Sequence, residues 1–237
     1  MTWTASDPWT CAETARPSIL SRIKPVKELT LKQIRSGRIV PVVVIDDAAV
    51  AVDLADALLD AGLQVIEITF RTAAAPQVIA TLAAQRPQLL VGAGTLLSEK
   101  NIKQAVDAGA KFGVAPGLNR DTVQAAQKAG FDFAPGVATP SEVEQALSLG
   151  CSLLKFFPAE QAGGASMLKA LEGPYAHTGV QFVPTGGINA TNMKDYLALK
   201  SVAAIGGSWF VDKKLISAGD WKAVNQLTRE ALAAARG

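Results

Sequence analysis

The chain has 237 residues, 23 Lys and Arg against 21 Asp and Glu, a formal net charge of +2, and 49% apolar but only 6% aromatic residues. That length suits a single β/α barrel of about 250 residues, and the Ala, Val, Leu and Ile content suits a parallel sheet wrapped by helices. Basic residues form no stripe, which argues against nucleic acid, and no apolar run approaches the ~20 residues of a membrane span.

The first twenty residues, with Asp7, Pro8, Glu13 and Pro17, lack the basic start and apolar stretch of a signal peptide. Cys11 and Cys151 have no metal-type spacing and read as reduced thiols, so a soluble cytoplasmic protein is expected. Residues 1–25, with Trp3 and Trp9 among Thr, Ser and Pro, are expected to form a poorly ordered or surface-docked extension; residues 26–237 are expected to be one domain. A helix is predicted over Lys27–Arg35, ended by Gly37.

From Ile39 onward short β-branched runs alternate with amphipathic stretches. The strand candidates are Ile39–Ile45, Val65–Phe70, Leu89–Ala93, Phe112–Ala115, Phe131–Ala134, Ser152–Phe156, Gln181–Val183 and Val202–Ile205. Helices fit at Ala48–Ala61, Ala74–Arg86, Glu99–Ala108, Arg120–Ala129 and Ser141–Leu149, and Gly62, Gly109, Gly130 and Gly150 each stand just past one, where a left-handed cap favours glycine. Strands alternating with helices imply a parallel sheet with right-handed crossovers, and eight strands close a barrel. The fold class read from this pattern is α/β, a (β/α)8 TIM barrel with an N-terminal helix and extension. A doubly wound sheet would place a glycine-rich loop after the first strand, where this chain has "DDAAV".

A barrel's active site lies at its strand C-termini. There the sequence reads Glu67, Thr69 and Arg71; "GAGT" to Thr95; "APG" through Pro116; "PGVATP"; Lys155 in "LLKFFPAE"; "PTGG" at 184–187; and "GGS" at 206–208. Lys155 stands between Leu153–Leu154 and Phe156–Phe157. One reading of it is an ion pair with Glu67 inside the barrel, or a solvated lysine on a frayed strand. The other is a nucleophile, because burial disfavours the charged form of an amine and a neutral amine attacks a ketone. Glu67, Thr69 and Arg71 alternate and so share one side of their strand; Glu67 is then a proton shuttle, or merely a neutralising partner of Arg71. Gly186–Gly187 and Gly206–Gly207–Ser208 end the last two strands, where barrels often bind phosphate. The single histidine, His177, lies in "GPYAHTG" and reads as a surface loop residue, leaving neither a metal-ligand set nor a Ser–His–Asp triad.

The segments "EITFRT", "GAGTLL", "APGLN", "PGVATPSE", "KFFPAE", "GGASMLKAL", "VPTGGI", "YLALKSVAAIGGSW" and "AGDW" run in order, within a match that covers about Ile39 to the C-terminus. Together they resemble the 2-keto-3-deoxy-6-phosphogluconate aldolases, which also act on 4-hydroxy-2-oxoglutarate. The resemblance implies a metal-independent Schiff-base lyase without cofactor, acting on a phosphorylated keto acid, and a homotrimer. It places the Schiff-base lysine on Lys155, the general acid/base on Glu67 and the carboxylate contacts on Arg71 and Thr95. Pocket positions fall on Pro116, Phe157 and Thr185, and phosphate contacts on Gly186, Gly187, Gly206, Gly207 and Ser208. Ala115 departs from the serine many members carry, and "YAHTG" is slightly longer than usual. An aldolase for the galactonate isomer or for non-phosphorylated acids, a non-covalent phosphosugar isomerase or epimerase, and a non-catalytic phosphate-binding scaffold are the other readings. With one histidine and no ligand cluster in the sequence, EDTA is expected to leave turnover unchanged; loss of activity restored by a divalent metal would overturn this.

Overall fold

The structure, a computed structural model, describes residues 26–236, so the expected extension lies outside the described residues. Helix α1 (Glu28–Gly37) leads into β1 (Ile39–Val43). Alternation follows through α2 (Ala51–Asp60), β2 (Val65–Thr69), α3 (Ala75–Gln85), β3 (Leu90–Gly94), α4 (Glu99–Asp107), β4 (Phe112–Val114) and α5 (Arg120–Lys128). Two short strands come next, β5 (Asp132–Ala134) and β6 (Gly136–Val137), then α6 (Pro140–Ser148), β7 (Leu153–Phe156) and α7 (Gly164–Tyr175). The chain ends with β8 (Gln181–Pro184), α8 (Met193–Leu197), β9 (Ile205–Gly207), α9 (Lys213–Ala218) and α10 (Trp221–Arg236).

Every pairing is parallel. One ladder runs β5-β4-β3-β2-β1-β9 and the other β6-β7-β8. Single-residue parallel bridges, Phe182–Val202 and Thr185–Gly206, link β8 to the β9 side. The whole is an α/β fold around a curled parallel sheet. Strands β1, β2 and β3 are buried at every position, as a parallel sheet covered on both faces requires. Helix α2 buries Ala51, Leu54, Ala55 and Leu58, the helical stripe expected of a covering layer.

Element boundaries differ from the sequence reading where a local constraint intervenes. Pro135 has no N–H to give the ladder, and pairing changes hands there: β5 pairs with β4, and β6 with β7. Gly136 admits the close approach that follows, since a Cβ there would lie 2.2 Å from the Pro116 carbonyl carbon. Helix α1 runs through Gly37, beside Leu63, and is capped by Arg38 at φ 56°. The last strand is shifted: Val202 contributes only a bridge, and regular pairing starts at Ile205. Gly62, Gly109, Gly130 and Gly150 all adopt positive φ, as the capping pattern predicts.

Helix α1 crosses the N-terminal ends of the strands. Thr30 Oγ1 donates to Asp132 Oδ2 at 2.7 Å and Arg35 Nε to Gln181 Oε1 at 3.1 Å; these acceptors are the first residues of β5 and β8. That end is thereby covered, and the C-terminal ends remain for a site. Helix α6, which leaves that end, is started by a capping box in which Thr139 Oγ1 accepts from the Glu142 N–H at 3.3 Å. Glu142 Oε2 in turn accepts from the N–H groups of Ala138 and Thr139 and from the Thr139 hydroxyl. Burial raises the Glu142 carboxyl, but these bonds outweigh it and the net shift is below the ordinary carboxylate range.

A depressed carboxylate stabilises the fold above its unfolded value of about 4.3 and loses that contribution as pH falls through the lower folded value. Urea titration of Glu142→Ala should therefore show a deficit at pH 7 that narrows towards pH ~3, with Thr139→Ala costing about 1 kcal/mol at pH 7. A Glu142→Ala deficit independent of pH would show that the charge contributes nothing.

Candidate active site

Strand β7 is buried along its whole length, and its Lys155 N–H donates to Pro135 O at 2.8 Å. Leu154 and Phe156 are fully buried and alternate with Lys155, so the lysine leaves the strand on the opposite face. Its Nζ donates to Glu67 Oε1 at 3.1 Å, with side-chain exposures of 8% for Lys155 and 5% for Glu67. The same Nζ lies 5.8 Å from the Phe157 ring centroid, within range of a cation–π attraction. Two charges taken out of water cost several kcal/mol each, and a buried pair seldom stabilises a fold relative to apolar residues of the same size. Its presence therefore points to chemistry.

Glu67 owes its place to a glycine. A Cβ at Gly94 would lie 2.1 Å from Glu67 Oε1 and 2.8 Å from its Cγ, so the carboxylate fills the space where β3 has no side chain. Beyond Gly94, Thr95 holds φ 60°, a left-handed conformation rare for a non-glycine and typical of functional turns. The row Glu67–Thr69–Arg71 is only partly as expected. Thr69 Oγ1 donates to Val43 O at 2.8 Å; β2 ends there, and Arg71 is exposed on the following turn with Nε donating to Thr69 Oγ1 at 3.2 Å. Among the described residues Arg71 makes no ion pair with Glu67, whose partner is Lys155.

Thr185 is buried just past β8, and a Cβ at Gly206 would lie 2.3 Å from its Oγ1. Gly186 (φ 102°) and Gly187 (φ 77°) form a left-handed pair; a Cβ at Gly186 would come 3.4 Å from Phe157 Cδ2, so this turn reaches the lysine strand. Gly206 and Gly207 are buried in β9, and Ser208 is exposed immediately after it. Pro116 is half-buried beyond β4, against Gly136. His177 is exposed in a single 3-10 turn after α7, away from this group. The strand ends thus offer a buried amine–carboxylate pair, a guanidinium on the turn after β2, and two glycine-rich ends.

The family model for KDPG and KHG aldolases matches residues 31–227. The chain belongs to this family. Among its relatives, the 2-dehydro-3-deoxy-phosphogluconate aldolase of Haemophilus influenzae is 46% identical over 202 residues, covering 85% of this chain and 94% of the relative. The KHG/KDPG aldolase of Escherichia coli K12 is 41% identical over 201 residues, covering 85% and 93%. A crystal structure of KDPG aldolase from Legionella pneumophila, with pyruvate captured at low pH as a covalent carbinolamine intermediate, superposes with a TM-score of 0.81. Its identity is 38%, over 84% of this chain and 96% of that one.

The sequence shows "GAGT" but not the role of Gly94, which only the strand register reveals, since β2 and β3 pair Thr69 with Gly94. Nor does it show that Glu160 and Tyr196 meet in space from separate elements. A methyl at position 94 has to displace the Glu67 carboxylate. Gly94→Ala is therefore expected to fold with kcat lowered by about 10²-fold, the scale of lost acid–base catalysis. Wild-type kcat in a folded Gly94→Ala protein would show that Glu67 is not needed in its observed position.

Proposed function

We propose that this chain is a Schiff-base aldolase that cleaves 2-keto-3-deoxy-6-phosphogluconate to pyruvate and glyceraldehyde 3-phosphate, and also takes 4-hydroxy-2-oxoglutarate. The observation that carries the reading is the 3.1 Å contact between Lys155 Nζ and Glu67 Oε1, both side chains more than nine-tenths buried. A proton moved along this bond leaves a neutral amine and a neutral acid, removing both charges from a desolvated site. Nζ then adds to the C2 ketone, and Glu67 supplies the proton with which the carbinolamine loses water to form an iminium. Glu67, returned to its carboxylate form, takes the C4 hydroxyl proton, directly or through a water. The C3–C4 bond breaks with its electron pair drawn into the iminium, and the aldehyde leaves. Protonation of the enamine at C3 and hydrolysis release pyruvate and restore the amine.

Arg71 and Thr95 are assigned to the keto-acid carboxylate, Arg71 as a planar fork suited to two oxygens. Pro116, Phe157 and Thr185 wall the reacting carbons, and Gly186, Gly187, Gly206, Gly207 and Ser208 receive the phosphate. Remote phosphate binding then positions the bond to be broken. The two parallel ladders, bridged at Phe182–Val202 and Thr185–Gly206 and adjoining at Pro135, support one closed (β/α)8 barrel with these residues around its mouth. The same reading includes a cytoplasmic homotrimer and a barrel domain beginning near residue 26.

Borohydride reduction in the presence of pyruvate should add a single adduct that peptide mapping places on Lys155, and Lys155→Ala should lose both adduct and turnover. An adduct elsewhere, or normal turnover by Lys155→Ala, would reject the mechanism in favour of a non-covalent phosphosugar enzyme.

A further inference from the structure

Between β7 and α7 the chain folds back onto the end of β8. Ala159 N–H donates to Thr185 O at 2.8 Å, Glu160 N–H to Gly186 O at 3.1 Å, and Gly164 N–H to Ala159 O at 2.9 Å. On the other side of the turn, Gly187 O accepts from Asn192 Nδ2 at 3.1 Å and from Asn189 Nδ2 at 3.4 Å. Asn192 immediately precedes α8. Both carbonyl oxygens of the glycine pair are thus held by neighbours, while the N–H groups of Gly186 and Gly187 donate to no group among the described residues. The Glu160 side chain closes the arrangement: a Cβ at Gly187 would lie 2.7 Å from Glu160 Cβ and Cγ, so only glycine lets this stem pack against the turn.

Glu160 is exposed, and an exposed glutamate ordinarily samples several rotamers. Here its carboxylate accepts from the hydroxyl of Tyr196, a residue 1% exposed on α8. Burial first, and the Glu160 carboxylate second, push the Tyr196 phenol well above its ordinary value, so it stays a donor at any pH where an enzyme works.

We propose that Tyr196, acting through Glu160, is a positioning residue that holds the Gly186–Gly187 N–H pair for a phosphate group and so sets the preference for phosphorylated over non-phosphorylated 2-keto acids. The inference rests on the aldolase reading above, with this turn at the phosphate end of the substrate. An anion site made of backbone N–H groups owes its affinity to being fixed before the ligand arrives, so loosening the brace weakens binding of the phosphate. No hydrogen bond or ion pair among the described residues ties Tyr196 or Glu160 to Lys155 or Glu67, so the covalent chemistry is insulated from the brace.

The test compares Tyr196→Phe, Glu160→Ala, their combination and Glu160→Gln on 2-keto-3-deoxy-6-phosphogluconate and on 4-hydroxy-2-oxoglutarate. Tyr196→Phe and Glu160→Ala should each raise KM for the phosphorylated acid about tenfold, with kcat within about twofold. KM for 4-hydroxy-2-oxoglutarate should not move. The double variant should be no worse than either single one, because both remove the same linkage. Glu160→Gln, which keeps the stem and an oxygen acceptor, should stay near wild type. Inorganic phosphate, whose binding requires no turnover, should bind the two disruptive variants about tenfold more weakly. Equal losses on both substrates, additive effects, or an innocuous Glu160→Ala would overturn the inference. Should Tyr196→Phe not fold, the Ala and Gln variants at exposed position 160 carry the test alone. Failure of the aldolase reading shows separately, as a wild-type protein that forms no pyruvate adduct on Lys155, while the phosphate-binding comparison still decides on the brace.

Discussion

The contact between Lys155 and Glu67 joins β7 to β2 across the inside of the curled sheet, 88 residues apart in sequence. Removing either partner leaves a buried charge without compensation, whereas replacing both by apolar residues of similar volume is often neutral or stabilising. The pair is therefore an arrangement that the rest of the fold has to tolerate. It does so through shape: Gly94 opens the space for the carboxylate, and Leu154 and Phe156 bury the face of β7 away from Lys155. The Phe157 ring adds a face towards the ammonium without adding a charge that would need its own partner.

The proposed function places reactive groups on strands and binding groups on turns, which divides two requirements. Strand positions are fixed by ladder hydrogen bonds and by packing on both faces, which holds Nζ and the carboxylate to a geometry loops seldom keep. Turns allow left-handed backbone, and with it inward-facing N–H groups. Thr95 at φ 60° and the Gly186–Gly187 pair at 102° and 77° bring such backbone to the ends of β3 and β8. Backbone donors need no side-chain ordering and carry no net charge, so they suit a phosphate beside a site that already contains a lysine and a carboxylate.

The sequence made the alternation of strands and helices legible, because buried parallel strands are apolar runs and Gly62, Gly109, Gly130 and Gly150 mark four helix ends. Lys155 was legible for a different reason: an ammonium among Leu and Phe is anomalous on solvation grounds alone. Its partnership with Glu67 followed less directly, since no periodicity links residues on strands so far apart. Strand alternation leaves the glutamate either a proton shuttle or a neutralising partner of Arg71, and the resemblance favours the first. What was not legible depends on register and on contacts between elements. The division at Pro135 turns on which neighbour each half-strand pairs with. The value of Gly94 lies in a side chain on the adjacent strand. Arg71 was grouped with Glu67 by alternation, a rule that stops applying where β2 ends at Thr69.

The Tyr196–Glu160 contact shows the same limit from the binding side. Taken singly, Tyr196 has the description of a buried helix residue and Glu160 that of an exposed loop charge. Neither includes the fact that the loop after β7 and the helix after β8 converge on one glycine turn. In a parallel α/β fold, consecutive strand ends are neighbours, so a segment leaving one strand can brace the turn leaving the next. Here the loop that begins beside the candidate nucleophile donates from Ala159 and Glu160 to the carbonyls of Thr185 and Gly186, and so holds the Gly186–Gly187 turn by its backbone as well as by the Glu160 side chain. On the proposed reading, one continuous stretch, residues 155–160, spans from the reacting end of the substrate to its phosphate end. That is a physical reason for a lysine and a glutamate to share the compact motif "KFFPAE".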